Sequence, residues 1–156
     1  MTPAEHDFLR LSFTEAKRAR EHGNHPFGAA LVDAEGRPFL AAENSVLTQS
    51  DATAHAELNL IRAATKTYRP EQLASCTLYA SAEPCPMCAA AIVWGNIRRV
   101  VYGLGMNALY ALIGNVEGAP SLKLHAREVF VHAPWPIEVI GPALEEEAML
   151  PHQGFW

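Results

Sequence analysis

The chain has too little cysteine for a disulfide framework and too few cations for a broad nucleic-acid surface. Its three cysteines are Cys76, Cys85 and Cys88. The last two are spaced as metal ligands, which leaves no pair to bridge. A reducing cytoplasm is therefore the expected home. Lys and Arg number 12 against 17 Asp and Glu, a formal charge of −5, so the field that draws in a large polyanion is missing and no nucleic-acid partner is expected. The basic clusters Lys17-Arg18-Ala19-Arg20 and Arg98-Arg99 read as a solvated helix face and a strand entrance. No apolar run approaches the roughly 18 residues of a membrane span. The first residues, with Glu5, His6 and Asp7, lack the basic and apolar regions of a signal peptide. Repeats, low-complexity stretches and linkers are also missing, and residues 1–156 read as a single domain.

What the chain does have is concentrated between His55 and Cys88. His55-Ala56-Glu57 is followed, after a spacer, by Pro84-Cys85-Pro86-Met87-Cys88. Cysteines three apart share a face where a turn enters a helix, and Pro86 suits the first turn, which has no use for its missing N–H. His55 follows the turn-like Gln49-Ser50-Asp51 and starts another helix. Both cysteines meet the positive end of a helix dipole, which favours thiolate over thiol. Two thiolates and one imidazole make three zinc ligands, and three protein ligands leave the fourth position to water, as a catalytic site requires. Glu57 points away from His55 on a regular helix and suits general acid/base work better than ligation. A lone Cys-x-x-Cys also fits a redox pair or a structural zinc knuckle; the two signals together, each at a helix start, carry the catalytic reading. Cys76 opens a β-rich run and reads as a buried free thiol. His6, His22, His25, His125, His132 and His152 are scattered, with no second ligand spacing.

In chain order, Thr2-Pro3-Ala4-Glu5 is a capping box opening a helix that runs to about His22. Phe27 to Asp33 and Pro38 to Glu43 form a hairpin about Ala34-Glu35-Gly36-Arg37. A loop from Asn44 to Asp51 leads into the His55 helix, which ends near Thr67, and Tyr68 to Ser75 is a connection. Strand Cys76 to Ser81, a helix carrying Ala89 to Trp94, and strand Val100 to Tyr102 imply parallel pairing. Asn107 to Ile113 reads as a helix, Glu128 to His132 as a further strand, and Ala143 to Leu150 as a last helix before His152-Gln153-Gly154-Phe155-Trp156.

His-x-Glu followed by Pro-Cys-x-x-Cys is similar to the zinc nucleobase deaminase signature. The whole chain resembles the cytidine deaminase superfamily, most of all its small bacterial guanine and nucleobase deaminases. His25-Pro26-Phe27-Gly28, Glu43-Asn44, His55-Ala56-Glu57, the run Ser81 to Cys88, and Trp94 carry that resemblance. It implies an α/β fold, a three-layer α/β/α sandwich around a mixed five-stranded sheet, and a homodimer. One Zn2+ per subunit would sit on His55, Cys85 and Cys88, with Glu57 moving protons. The expected activity is hydrolytic deamination of a free nucleobase, guanine or a related aminopurine or triazine, with release of ammonia. Asn44, Phe27, Trp94, Ala56, Phe155 and Trp156 fall at positions implied to contact the base. Loop capping stands as a second reading of Asn44, and a core aromatic as a second reading of Trp94. The same resemblance implies a second acid, for which Glu117 and Glu145-Glu146-Glu147 are candidates. Residues 143–156 are expected to form a lid over the site, on the same or the partner subunit. Transfer-RNA adenosine deaminases and nucleoside deaminases share the zinc motifs and are the rival enzymes; a non-catalytic zinc protein is the rival of another class. The glutamate run of the last helix and the aromatic tail disfavour the RNA enzymes.

Overall fold

Thr2 caps the first helix, α1 (Pro3–Glu21), as the sequence predicts: its hydroxyl accepts from the Glu5 N–H and the Glu5 carboxylate accepts from the Thr2 N–H. The structure is a computed structural model and describes residues 1–114 and 122–156, so Glu117 lies outside the described residues. The hairpin follows as β1 (Gly28–Val32) and β2 (Pro38–Glu43). The segment read as a loop contains one helical turn, α2 (Val46–Gln49), before α3 (Ala56–Thr67). Another single turn, α4 (Pro70–Leu73), interrupts the next connection. Then come β3 (Thr77–Ala82), α5 (Pro86–Trp94), β4 (Arg99–Leu104) and α6 (Met106–Ile113). The chain closes with α7 (Ala126–Phe130), β5 (Glu138–Ile140), α8 (Glu145–Met149) and a 3₁₀ turn, Leu150–His152.

The strands form one sheet in the order β2-β1-β3-β4-β5. β1 runs antiparallel to both β2 and β3, while β3, β4 and β5 are parallel, as the strand–helix–strand succession implies. Alternation along the strands sends side chains to two cores. On one face Leu31, Leu78 and Val100 pack under Leu60 and Ile61 of α3, Ile92 of α5 and Phe130 of α7. On the other, Val32, Tyr79 and Val101 pack under Leu9 and Phe13 of α1, Leu109 of α6 and Ala148 of α8. This is the three-layer α/β/α sandwich around a mixed five-stranded sheet. No described helix is long and apolar enough to cross a membrane.

One strand lies elsewhere than expected. The Val/Phe-rich run from Glu128 to His132 is not a strand: it overlaps α7, and the fifth strand is Glu138–Ile140. The β-branched residues suggest extension, but Ala126 and Phe130, four apart, are the buried pair, and the Glu128 carboxylate accepts from the His125 N–H to start the helix.

The C-terminal ends of β3 and β4, the start of β1 and the end of β2 meet at one end of the sheet, where ligands bind in open α/β folds. Gly28 is needed there. A Cβ on it would collide with Ser12 O and Ala16 N, so only glycine lets α1 lie this close. Its N–H donates to Ser81 Oγ at 3.0 Å, which fixes the preceding residue, Phe27, beside the strand leading to Cys85.

Candidate active site

His55 is the N-cap of α3 and Cys85 the N-cap of α5, and neither side chain is used to cap its helix. Cys88 stands one turn into α5. His55 Nδ1 lies 3.6 Å from Cys85 Sγ and 3.5 Å from Cys88 Sγ. A tetrahedral zinc with Zn–S about 2.3 Å and Zn–N about 2.0 Å sets its N and S donors about 3.6 Å apart. The cradle thus already has the dimensions of the ion, and no other such group converges among the described residues. The two cysteines are tightly coupled. A hydrogen bond from Cys88, helped by His55, pulls the Cys85 thiol down to about 4. The same bond, with burial and the nearby Glu57, pushes Cys88 upward. Thiolate is the form that ligates a metal, so zinc binding requires both cysteines deprotonated.

Glu57 is 8% exposed, and burial first, then the Cys85 thiolate, raises its carboxyl to about 7. Its Oε2 is 3.6 Å from Cys88 Sγ, so it flanks the ligands without belonging to the trio. Ala56, fully buried, opens α3, where main-chain N–H groups have no partner within the helix.

Asn44 is 1% exposed. Its main-chain N–H donates to Phe27 O at 3.0 Å, and its Oδ1 accepts from the Val46 N–H at 3.1 Å. The capping reading therefore holds for the oxygen, while the Nδ2 donor has no partner among the described residues. Trp94 does not join this group. It ends α5 six residues beyond Cys88, about 9 Å further along the axis, and is 89% exposed. Within its own chain it is not a core aromatic.

The tail folds back onto its own chain. Trp156 stacks on His25 with centroids 5.6 Å apart and lies 6.2 Å from Phe27, while Phe155 meets His25 edge-on at 6.2 Å. His25 is partly buried, and burial together with the His55 charge holds its pKa below the usual value. Arg20 anchors the tail by donating to Pro151 O at 2.9 Å, Gln153 O at 2.7 Å and Gly154 O at 3.5 Å, with its guanidinium 5.8 Å from the Phe155 centroid. The sequence reading of Arg20 as part of a solvated face is corrected by these contacts. His25 and His152 were likewise missed. The neighbour Phe27 flags His25, and a terminal aromatic pair needs a partner, but nothing local marks Arg20.

Of the described candidates for a second acid, Glu145 and Glu147 are engaged elsewhere. Glu145 Oε1 accepts from the Gly105 N–H at 3.0 Å, Glu147 forks with Arg10 at 2.8 and 2.9 Å, and Glu146 is exposed. Glu83, next to the cysteine motif, turns its carboxylate away to accept from Met106 N–H at 3.1 Å and Ala126 N–H at 3.0 Å. His125 Nδ1 adds a contact at 3.0 Å.

Residues 3–104 match the family model for the cytidine and deoxycytidylate deaminase zinc-binding region. The chain is 42% identical over 149 residues to a probable cytosine deaminase of Schizosaccharomyces pombe, covering 96% of this chain and 90% of that protein. It is 47% identical over 96 residues to the guanine deaminase of Bacillus subtilis, 61% of each chain. A structure from studies of A-to-I editing by tRNA:A34 deaminases shares 30% identity and a TM-score of 0.71, with 93% of this chain and 98% of that one covered. The donor set fits one zinc ion, and the motifs that form it lie within the matched region. The chain belongs to the cytidine and deoxycytidylate deaminase family.

Proposed function

We propose that the protein deaminates a free nucleobase, with cytosine the first candidate and guanine or a related aminopurine or triazine the second. The observation that carries this reading is the docked tail: Trp156 and Phe155 lie against His25 and Phe27 on the same chain, which suits a flat base and leaves little room for a strand of nucleic acid. The change of order from guanine to cytosine follows from coverage. The probable cytosine deaminase aligns with 96% of the chain, whereas the guanine deaminase alignment covers 61%.

A zinc ion held by His55, Cys85 and Cys88 would supply Lewis acidity and an acidified water. Glu57 would pass one proton from the attacking water to the ring nitrogen, then take the second from the new hydroxyl and give it to the amino group, which leaves as ammonia. Its burial beside the ligands suits a group that must hold and release a proton near neutrality. Asn44 Nδ2 donates to an acceptor on the base edge, and the Ala56 N–H is free to do the same. Phe27 and Trp156 offer the ring apolar contact. The working form is a homodimer, in which the exposed Trp94 meets the second copy.

Ammonia release from a panel of free bases and their nucleosides tests the proposal. Turnover of cytosine ahead of guanine, with nucleosides inert, is expected. Turnover of nucleosides alone would refute the free-base reading, and a zinc-loaded protein releasing no ammonia from any of them would favour a binding protein.

A further inference from the structure

The tail leaves one polar group without a partner. His152 is 2% exposed, and its Nδ1 is 3.1 Å from the Trp156 indole nitrogen. An indole N–H only donates, so Nδ1 is the acceptor and a neutral imidazole must carry its proton on Nε2. Burial keeps the ring neutral, drawing its pKa down to about 4. Nε2–H is thus a buried donor that finds no acceptor among the described residues. Buried donors are rarely left so, and each one asks for an explanation.

The surroundings supply one. The imidazole and indole planes differ by 17°, and the hydrogen bond joins their edges, so the Nε2 edge faces away from Trp156. The ring's other aromatic neighbour is Phe27, 5.2 Å away and edge-on. The Phe27 carbonyl also accepts the Asn44 main-chain N–H, so His152 and Asn44 both contact Phe27, one at its ring and the other at its main chain.

We propose that His152 is a specificity-determining residue whose Nε2–H donates to an acceptor on the bound base, a carbonyl oxygen or an unprotonated ring nitrogen. The inference rests on the free-base reading above. It makes the tail a reader of the substrate as well as a cover. Together with Asn44 it selects a base edge rich in acceptors, such as the 2-oxo edge of cytosine, over one that presents N–H groups.

The test uses zinc-loaded protein and pyrimidin-2-one, which is cytosine without the amino group and so cannot release ammonia. In the wild type with 15N-labelled histidine, the His152 resonances should report protonated Nε2 and bare Nδ1, and the Hε2 signal should move downfield on binding. His152→Phe should weaken binding by about tenfold at unchanged zinc content, because a site built to hydrogen-bond its ligand loses that partner. His152→Gln, which restores a donor at similar reach, should recover most of the loss. The proposal is overturned if His152→Phe binds as tightly as wild type, if both variants weaken equally, or if the Hε2 signal ignores the ligand. The last result would mean that the N–H faces the Phe27 ring. If His152→Phe does not fold, the resonance and the Gln variant still decide. Wild type that turns over no base and binds no pyrimidin-2-one sinks the free-base reading and this inference together. An active wild type with an indifferent His152→Phe sinks this inference alone.

Discussion

Replacing Arg20 with Ala should unlatch the tail while leaving the metal centre intact. The guanidinium reaches Pro151 O at 2.9 Å and Gln153 O at 2.7 Å; the 3.5 Å contact to Gly154 O is too long to weigh. Both short bonds are charge-assisted but at least partly open to water, so about 1 kcal/mol each is a fair value. The guanidinium near the Phe155 ring contributes about 0.5 kcal/mol more. The sum, about 2.5 kcal/mol, shifts the docked–open equilibrium of the tail roughly sixtyfold. The Gln153 N–H bonds to Leu150 O and the Phe155 N–H to His152 O, and these two amides report the opening. Their hydrogen exchange, followed by NMR, should speed up by about sixtyfold while amides of β3 and β4 keep their protection. Zinc content should stay at one per chain, and kcat/KM for the preferred base should fall. Arg20→Lys should lie between the two, since a point charge cannot fork across two carbonyls. Equal acceleration in tail and sheet would show that Arg20 supports the whole fold. No acceleration anywhere would refute the latch.

Glu57→Gln should retain zinc and melting temperature but lose about 10²–10⁴-fold in kcat, because the amide cannot take a proton; near-normal turnover would end the proton-transfer assignment. Cys85→Ala should lose zinc and melt at a lower temperature, read by metal analysis and calorimetry. Asn44→Ala should raise KM on the preferred base by about tenfold at unchanged zinc, and flatten the preference across the base panel. Acid should loosen the tail. The folded pKa of His152 is lowered from 6.5 to about 4, so the undocked state takes up the proton first. Docking is at full strength above 6.5 and weakens by up to about 3 kcal/mol as the pH falls to 4. Exchange at the Phe155 amide should accelerate across that window in wild type and less steeply in His152→Phe, where His25, also held below its usual value against the tail, still takes up a proton.

The metal centre was legible because it is built from local rules. His55 and Cys85 are helix caps, Cys88 follows one turn later, and each piece spans only a few residues. The hairpin and the β3–α5–β4 unit were legible for the same reason, their patterns being short-range. Where the reading failed, the deciding partner was far away. Arg20 meets its carbonyl on Pro151 across 131 positions, and no pattern within α1 announces it. The fifth strand was misplaced because Val and Phe suit strand and helix alike, and the choice depended on which face of α7 the core would take. Trp94 fills the position that the resemblance implies, and its indole stands in solvent within its own chain.

Glu83 has a consequence for evolution and for engineering. The starts of α6 and α7 are both fastened to this one carboxylate. Glu83 also follows directly on β3 and stands two residues before Cys85, so one side chain ties two helix starts to the strand that delivers a metal ligand. A change at this single position is therefore felt at three places at once, and the carboxylate cannot drift without taking the cysteine turn with it.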